Sequence, residues 1–247
     1  MLMDIIIGKN PVIEALRAGR LIKKILVKHN IEQRDDINEL IRNAKIKKIP
    51  IEIADIKYLN LLASGTLHQG IIALAEPKQY INLEDLLSIS KAKNEVPLYL
   101  ILDGIEDPHN LGAILRTAEA TGVHGVILRR QRAVGITPTV VKASAGAIEY
   151  VPVVRVNNIS QSIIILKNKN IWIVGIDSKG SVNYDKIDYR LPIAIVIGSE
   201  GMGISSLVVK HCDWLAAIPM KGRISSLNAS VAASIVMYEA LRQRSKT

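Results

Sequence analysis

The chain has one cysteine, Cys212, and no phenylalanine. A single thiol excludes an intrachain disulfide and any cysteine-rich zinc site, and it fits a reducing compartment. Aromatic residues make up only 4% of the sequence, too few for the stacking platform that single-strand binders use. The five histidines are scattered without metal-ligand spacing, so no metal is expected. No apolar run approaches the roughly 18–20 residues of a membrane span. The N-terminal "MDIIIGKNPV" has too short an apolar stretch, behind an acid, for a signal peptide. These absences predict a folded cytoplasmic protein with no membrane contact.

What is present is ample apolar material and a basic surplus. The 247 residues are 49% hydrophobic, enough for one large domain or two small ones. The formal charge is +9, with +3 lying before Pro97 and +6 from it onward. A surplus shared in this way favours a polyanionic partner for both parts, because each neutralised phosphate releases counterions.

Residues 1–75 alternate helical and strand-like patterns. "NPVIEALRAG" has Pro near a helix start and Gly at its end, and "RDDINELIRNAKIKK" is an amphipathic helix. "IKKILVKH", "IPIEIAD" and "GIIALAEP" read as strands, and "IKYLNLLAS" as a short helix. Residues 76–96 are polar with one weak helical stretch and read as a linker. From residue 97 to 247 the strands become unalternating Ile/Val/Leu runs: "LYLILDGI", "GVHGVIL", "IWIVGID", "IAIVIGSEGMG" and "WLAAIPM". Such runs fit a parallel sheet covered on both faces, whose ligands bind at the carboxyl ends of the strands.

Three loops at such ends carry unusual residues. In "EDPHNLGAILRTAEATG", Asp107 and Pro108 make a turn, Asn110 can cap, and Arg116 sits six residues further on, somewhat under two helical turns and so expected on broadly the same side, among apolar neighbours. Taken alone, a capping Asn and a surface Arg account for this pair. "GSEGMG", 198–203, lets backbone approach a ligand, but it matches neither a dinucleotide fingerprint nor a P-loop. A tight turn explains it equally well. Last, "IPMKGRISSLN" leads into the small-residue helix "ASVAASIV", with Ser226 and Asn228 at its entrance. No nucleophile–base pair is apparent in any of the three.

Together the loops resemble the three signature motifs of the SpoU family of RNA ribose 2′-O-methyltransferases, in the SPOUT superfamily. The first is carried by "NLGAILRTAEATG", the second by "IVIGSEGMGIS", the third by "IPMKGRISSLNASVAASIVMYEALRQR", in matching order and spacing over the last 150 or so residues. "HQGIIA" and "VKASAGAIEYVPVVRV" further resemble the branch that methylates a guanosine in large-subunit ribosomal RNA.

The resemblance implies an α/β fold: a parallel-sheet methyltransferase domain with a C-terminal trefoil knot, preceded by a small ribosomal-protein-like RNA-binding domain. It implies S-adenosylmethionine as cofactor, bound around Gly198, Gly201, Ile218, Met220 and Leu227. It assigns the catalytic site to Asn110, Arg116, Glu200, Ser226 and Asn228, in a homodimer whose Arg116 serves near the partner's cofactor. In "LRRQR", Arg129, Arg130 and Arg132 follow a strand end of this basic protein and are expected to contact RNA. The rival expectations are the same chemistry on transfer RNA or another ribosomal site, and a non-catalytic RNA-binding assembly factor.

Overall fold

The computed structural model describes residues 3–29, 31 and 35–245. They form two compact units, one from the chain up to Gln79 plus Ile136–Tyr150, the other from Tyr80–Gly135 plus the chain from Val151 onward.

The first unit begins with β1 (Asp4–Ile7), α1 (Lys9–Arg17), β2 (Ile22–Lys28) and α2 (Asp35–Ile46). It continues with β3 (Ile51–Ala54), α3 (Ile56–Ala63) and β4 (Ile71–Ala75). The sheet order is β1-β4-β2-β3, with β4 antiparallel to β1 and β2, and β3 parallel to β2. All elements expected from the sequence are present, and β1 is additional. Asp55 starts α3 by accepting a hydrogen bond from the Lys57 amide at 2.9 Å. Leu59 and Ala63 of α3 are then buried against Ile7, Leu26 and Ile72 of the sheet.

The stretch expected as a linker, 76–96, contains α4 (Leu83–Ala92), capped by Asn82, whose side chain accepts from the Asp85 amide at 2.7 Å. Leu83 and Leu86 of α4 belong to the core of the second unit. That core fixes Gly125 at the start of a strand, because a Cβ there would lie 2.2 Å from Leu86 Cδ1 and 2.9 Å from the Pro152 carbonyl.

The second unit holds β5 (Leu98–Asp103), α5 (Pro108–Ala120) and β6 (Gly125–Arg129). The next elements in the chain, α6 (Pro138–Ala143) and the single turn Ala147–Glu149, cluster instead with the first unit, α6 against β1. The second unit resumes with β7 (Val153–Val156), α7 (Ile159–Lys167), β8 (Trp172–Ile176) and β9 (Val182–Asn183). It ends with β10 (Ile193–Gly198), α8 (Ser206–Val209), β11 (Trp214–Ala217) and α9 (Ala229–Arg244). Its seven strands are all parallel, in the order β7-β6-β5-β10-β8-β11-β9. Every residue of β5 and β10 is buried, as the unalternating apolar runs require.

Arg244 anchors the far end of α9 by donating to the carbonyls of Tyr189 at 2.8 Å, Pro97 at 2.8 Å and Leu191 at 3.0 Å. Burial pushes its guanidinium down to about 10, still charged at neutral pH. His124 is buried just before β6, its Nδ1 accepting from the Leu98 amide at 3.1 Å and its Nε2 lying 3.0 Å from Glu95. Burial holds this imidazole below its ordinary value, against the opposing pull of Glu95. The unfolded chain therefore takes up its proton first, near pH 6.5, so the stability present above that pH is lost as the pH falls below it. Urea midpoints measured from pH 8 to pH 5 should fall less steeply in His124→Gln than in the native chain. Equal slopes would show that His124 does not contribute.

Candidate active site

The loops that follow β5, β8, β10 and β11 meet at the carboxyl end of the parallel sheet, where such folds bind ligands. Between three of them lies a cleft of about 440 Å³, within the usual range for small-molecule sites. Its walls are 176–179, 197–203 and 218–232 in part, including Gly198, Gly201, Ile218, Met220, Ser226 and Leu227.

The loop after β10 is closed on itself by two hydrogen bonds between Ser199 and Gly203, at 3.1 and 3.0 Å. Gly201 and Gly203 take positive φ values of 83° and 65° there, the left-handed region that favours glycine. Gly198 is required for another reason: a Cβ on it would stand 2.1 Å from the Gly203 carbonyl carbon. The loop is thus a tight backbone cradle, suited to a flat ligand held by main-chain atoms.

Glu200, at the tip of that loop, joins three segments. Its Oε1 accepts from Asn110 Nδ2 at 3.1 Å, from the Ala229 amide at 3.4 Å and from Asn228 Nδ2. Asn228 Nδ2 also donates to Asn110 Oδ1 at 2.9 Å. The carboxylate therefore lies at the first amide of α9, where negative charge is favoured by the helix dipole. Asn228 Oδ1 turns the other way and caps α9, accepting from the amides of Ser230 at 2.9 Å and Val231 at 3.2 Å.

Two local expectations are corrected. Asn110 is not a cap: Asp107 caps α5, accepting from the His109 amide at 3.0 Å, and Pro108 opens the helix. Asn110 lies two residues further in, buried, with its amide released to reach Glu200. Nor do Asn110 and Arg116 share a side of α5. Six residues turn a helix by about 600°, leaving the two about 120° apart, and Arg116 is exposed where Asn110 is buried.

Arg116 lies outside the cleft lining, and no hydrogen bond or ion pair to it is found among the described residues. Arg129 and Arg132 line a second cavity that adjoins the cleft, whereas Arg130 does not line it. Cys212 is half-buried, and burial pushes its thiol up to about 12, so it is no nucleophile. Sequence reasoning missed the loop Asp177–Gly180, which forms one wall of the cleft. Its signal was the strand "IWIVGID" running into "SKG": Asp177 Oδ1 accepts from the Lys179 amide at 2.9 Å, and a Cβ on Gly180 would strike Ala216 at 2.5 Å.

Family models match both parts of the chain. The SpoU rRNA methylase family matches residues 97–238, and the RNA 2′-O ribose methyltransferase substrate-binding family matches residues 5–81. A Bacillus subtilis protein named YacO, assigned to the TrmH family of tRNA/rRNA methyltransferases, is 44% identical over 98% of this chain and 96% of its own. A Staphylococcus aureus relative assigned to the same family is 47% identical over 97% of this chain and 96% of its own. Among solved structures, the SpoU methyltransferase AviRb of Streptomyces viridochromogenes in complex with AdoMet superposes with a TM-score of 0.81 at 26% identity, covering 98% of this chain and 91% of that one. The AdoMet-bound rRNA methyltransferase of Sinorhizobium meliloti superposes with a TM-score of 0.79 at 27% identity, covering 97% and 87%.

Proposed function

Because the chain belongs to the SpoU rRNA methylase family, we propose that it methylates the 2′-hydroxyl of one guanosine in large-subunit ribosomal RNA, using S-adenosylmethionine. One observation carries the reading: Glu200 ties the first, second and third motif loops together on the wall of a glycine-built cleft.

The cleft fits the cofactor in size, at about 440 Å³, and its loop after β10 offers main-chain groups, since Gly198 is packed against the Gly203 backbone and nothing lies within 4 Å of a Cβ placed on Gly201. Gly198, Gly201, Ile218, Met220 and Leu227 would hold it. When bound, S-adenosylmethionine supplies a methyl group on a sulfonium. The chain's own task is to position the ribose and stabilise the alkoxide that develops as the hydroxyl loses its proton.

A guanidinium such as that of Arg116 is a poor base. Its role is to hold the adjacent phosphate and the developing negative charge, near the cofactor of a partner copy. Exposed Arg116 on α5 and exposed Val231 and Tyr238, seven residues apart on α9, support such a pairing of copies. Asn110 and Asn228 hold Glu200, and the three fix the α9 entrance so that Ser226 faces the ribose in register, with Asn228, whose amide is engaged by Glu200, Asn110 and the helix cap, setting that register. The trefoil knot belongs to the same reading. It is supported by the insertion of β11 between β8 and β9 and by the convergence of 176–179, 198–203 and 218–228 on one cleft.

The test is transfer of labelled methyl from S-adenosylmethionine to unmodified ribosomal and transfer RNA, with the product mapped by resistance to alkaline cleavage. Label on one guanosine ribose of large-subunit RNA is expected. Label on transfer RNA or another ribosomal site would move the substrate, and cofactor binding without transfer to any RNA would replace the enzyme by an assembly factor.

A further inference from the structure

The second cavity, about 1120 Å³, shares Asp177, Lys179, Ser199, Glu200, Met202 and Gly203 with the cofactor cleft and extends to the ends of β5 and β6. Of its five acids, Asp103, Asp107, Asp177 and Glu200 are engaged within the fold, and Glu106 is exposed with no hydrogen bond or ion pair among the described residues. Asp103 is 4% exposed and accepts from the Ser205 amide at 2.9 Å, while Asp107, Asp177 and Glu200 accept from backbone or side-chain donors already described.

Its cations are not so engaged. Arg132, Lys179 and Lys210 are exposed on the lining, with no hydrogen bond or ion pair from their side chains among the described residues. Arg129 has a single distant partner, Nη2 lying 3.7 Å from Asp103 Oδ1. Two buried donor groups on this lining, Arg129 Nε and Ser205 Oγ, lack any hydrogen-bond partner among the described residues. Both atoms are closed off from the cavity surface, so it is the accessible part of the Arg129 side chain, 29% exposed, that can meet an acceptor there.

We propose that this cavity seats a phosphodiester of the RNA beside the target ribose, held by Arg129, Arg132, Lys179 and Lys210, with Asp103 as the positioning residue for Arg129. The assignment rests on the methyl-transfer reading above. A guanidinium offers the planar fork that matches phosphate oxygens, and the lysines add point charges at the rim. The wall shared with the cleft would keep the seated phosphate next to the ribose being methylated. The arginine cluster of the sequence is thereby divided, Arg129 and Arg132 serving the cavity and Arg130 lying outside it.

The experiment compares Arg129→Ala, Lys210→Ala, Asp103→Asn and the Arg129→Ala/Asp103→Asn double variant with the native chain, taking Lys91→Ala on α4 as the control for charge alone. KM for ribosomal RNA should rise roughly ten- to hundred-fold in Arg129→Ala, the scale of a lost charged hydrogen bond. Its kcat and its affinity for S-adenosylmethionine should hold. The salt dependence of binding to an oligoribonucleotide should lose about one unit of slope for each removed phosphate contact. Asp103→Asn keeps an oxygen for the Ser205 amide but loses the charge facing Arg129, so it should raise KM in the native background and add nothing in Arg129→Ala.

Variants that match Lys91→Ala in KM and slope would overturn the proposal, as would an Asp103→Asn effect that persists without Arg129. Should Arg129→Ala fail to fold, the Lys210→Ala slope decides alone. If the native chain methylates no RNA, the methyl-transfer reading fails by itself. The oligoribonucleotide slopes then still decide whether this cavity holds phosphate.

Discussion

Arg116→Ala is expected to lower kcat for methyl transfer by about 10²–10³, the usual cost of removing a donor aimed at developing oxyanion charge. Affinity for S-adenosylmethionine should be unchanged, because the reading places Arg116 at the phosphate and the developing oxyanion, while Gly198, Gly201, Ile218, Met220 and Leu227 hold the cofactor. Stability should also be unchanged, since the side chain is exposed and no partner for it is found among the described residues. Arg116→Lys should recover only part of the loss, because an ammonium keeps the charge without the planar fork. Single-turnover transfer, cofactor titration and thermal melting on the same preparations check all three statements. Near-normal turnover in Arg116→Ala would remove the guanidinium from the mechanism. Mixing inactive Arg116→Ala chains with chains inactivated in the cofactor cradle adds a sharper reading: restored activity requires that one copy supply Arg116 to the other.

Most of this site was legible because strand ends in a parallel sheet are where loops converge, and unalternating runs such as "IAIVIG" mark those strands. Asn110, Glu200 and Asn228 of the three loops meet through hydrogen bonds, whereas Arg116 lies outside the cleft, and the local jobs differ from what spacing implied. Asn110 looked like a cap because Asn at a helix entrance caps; Asp107, three residues earlier, already does so, and only that makes the Asn110 amide available to Glu200. Spacing along one helix also could not reveal that Glu200 joins residues 90 and 28 positions away.

Other features had no local signal. "DIII" is too short to show a period, and it becomes β1 only by pairing with β4, far along the chain. The segment 136–150 follows β6 directly in sequence but clusters with the first unit, through packing against β1 and ion pairs that no window of neighbouring residues contains. "LRRQR" reads as one charge cluster, yet Arg129 ends a strand beside buried Asp103 while Arg132 sits at a positive φ of 53°, so the backbone separates what the sequence runs together.

The strongest stability effect should come from Arg20→Ala, which removes the centre of a buried charge network in the first unit. Arg20 keeps only 6% of its side chain exposed and Glu149 only 1%. Arg20 donates to Glu149 at 2.6 Å, pairs with Asp4, and donates to the Glu76 carbonyl at 3.2 and 3.0 Å. Lys78 reaches the same Glu149 carboxylate only at 3.5 Å, and burial lowers its own tendency to carry charge. Alanine at position 20 therefore leaves a buried carboxylate without adequate compensation, a loss of about 3–5 kcal/mol in comparable pairs. Replacing both partners by apolar residues, Arg20→Met with Glu149→Leu, should cost far less, because no charge is then stranded. Urea unfolding followed by a probe in the first unit measures both variants. A single-variant loss below about 1 kcal/mol would mean that Lys78 takes over the pairing with Glu149. A double variant as unstable as Arg20→Ala would mean that packing, rather than stranded charge, sets the cost. Since Glu149 lies in 136–150 and Asp4, Arg20 and Lys78 in the chain up to Gln79, the same result tells whether ion pairs bind that segment to the first unit.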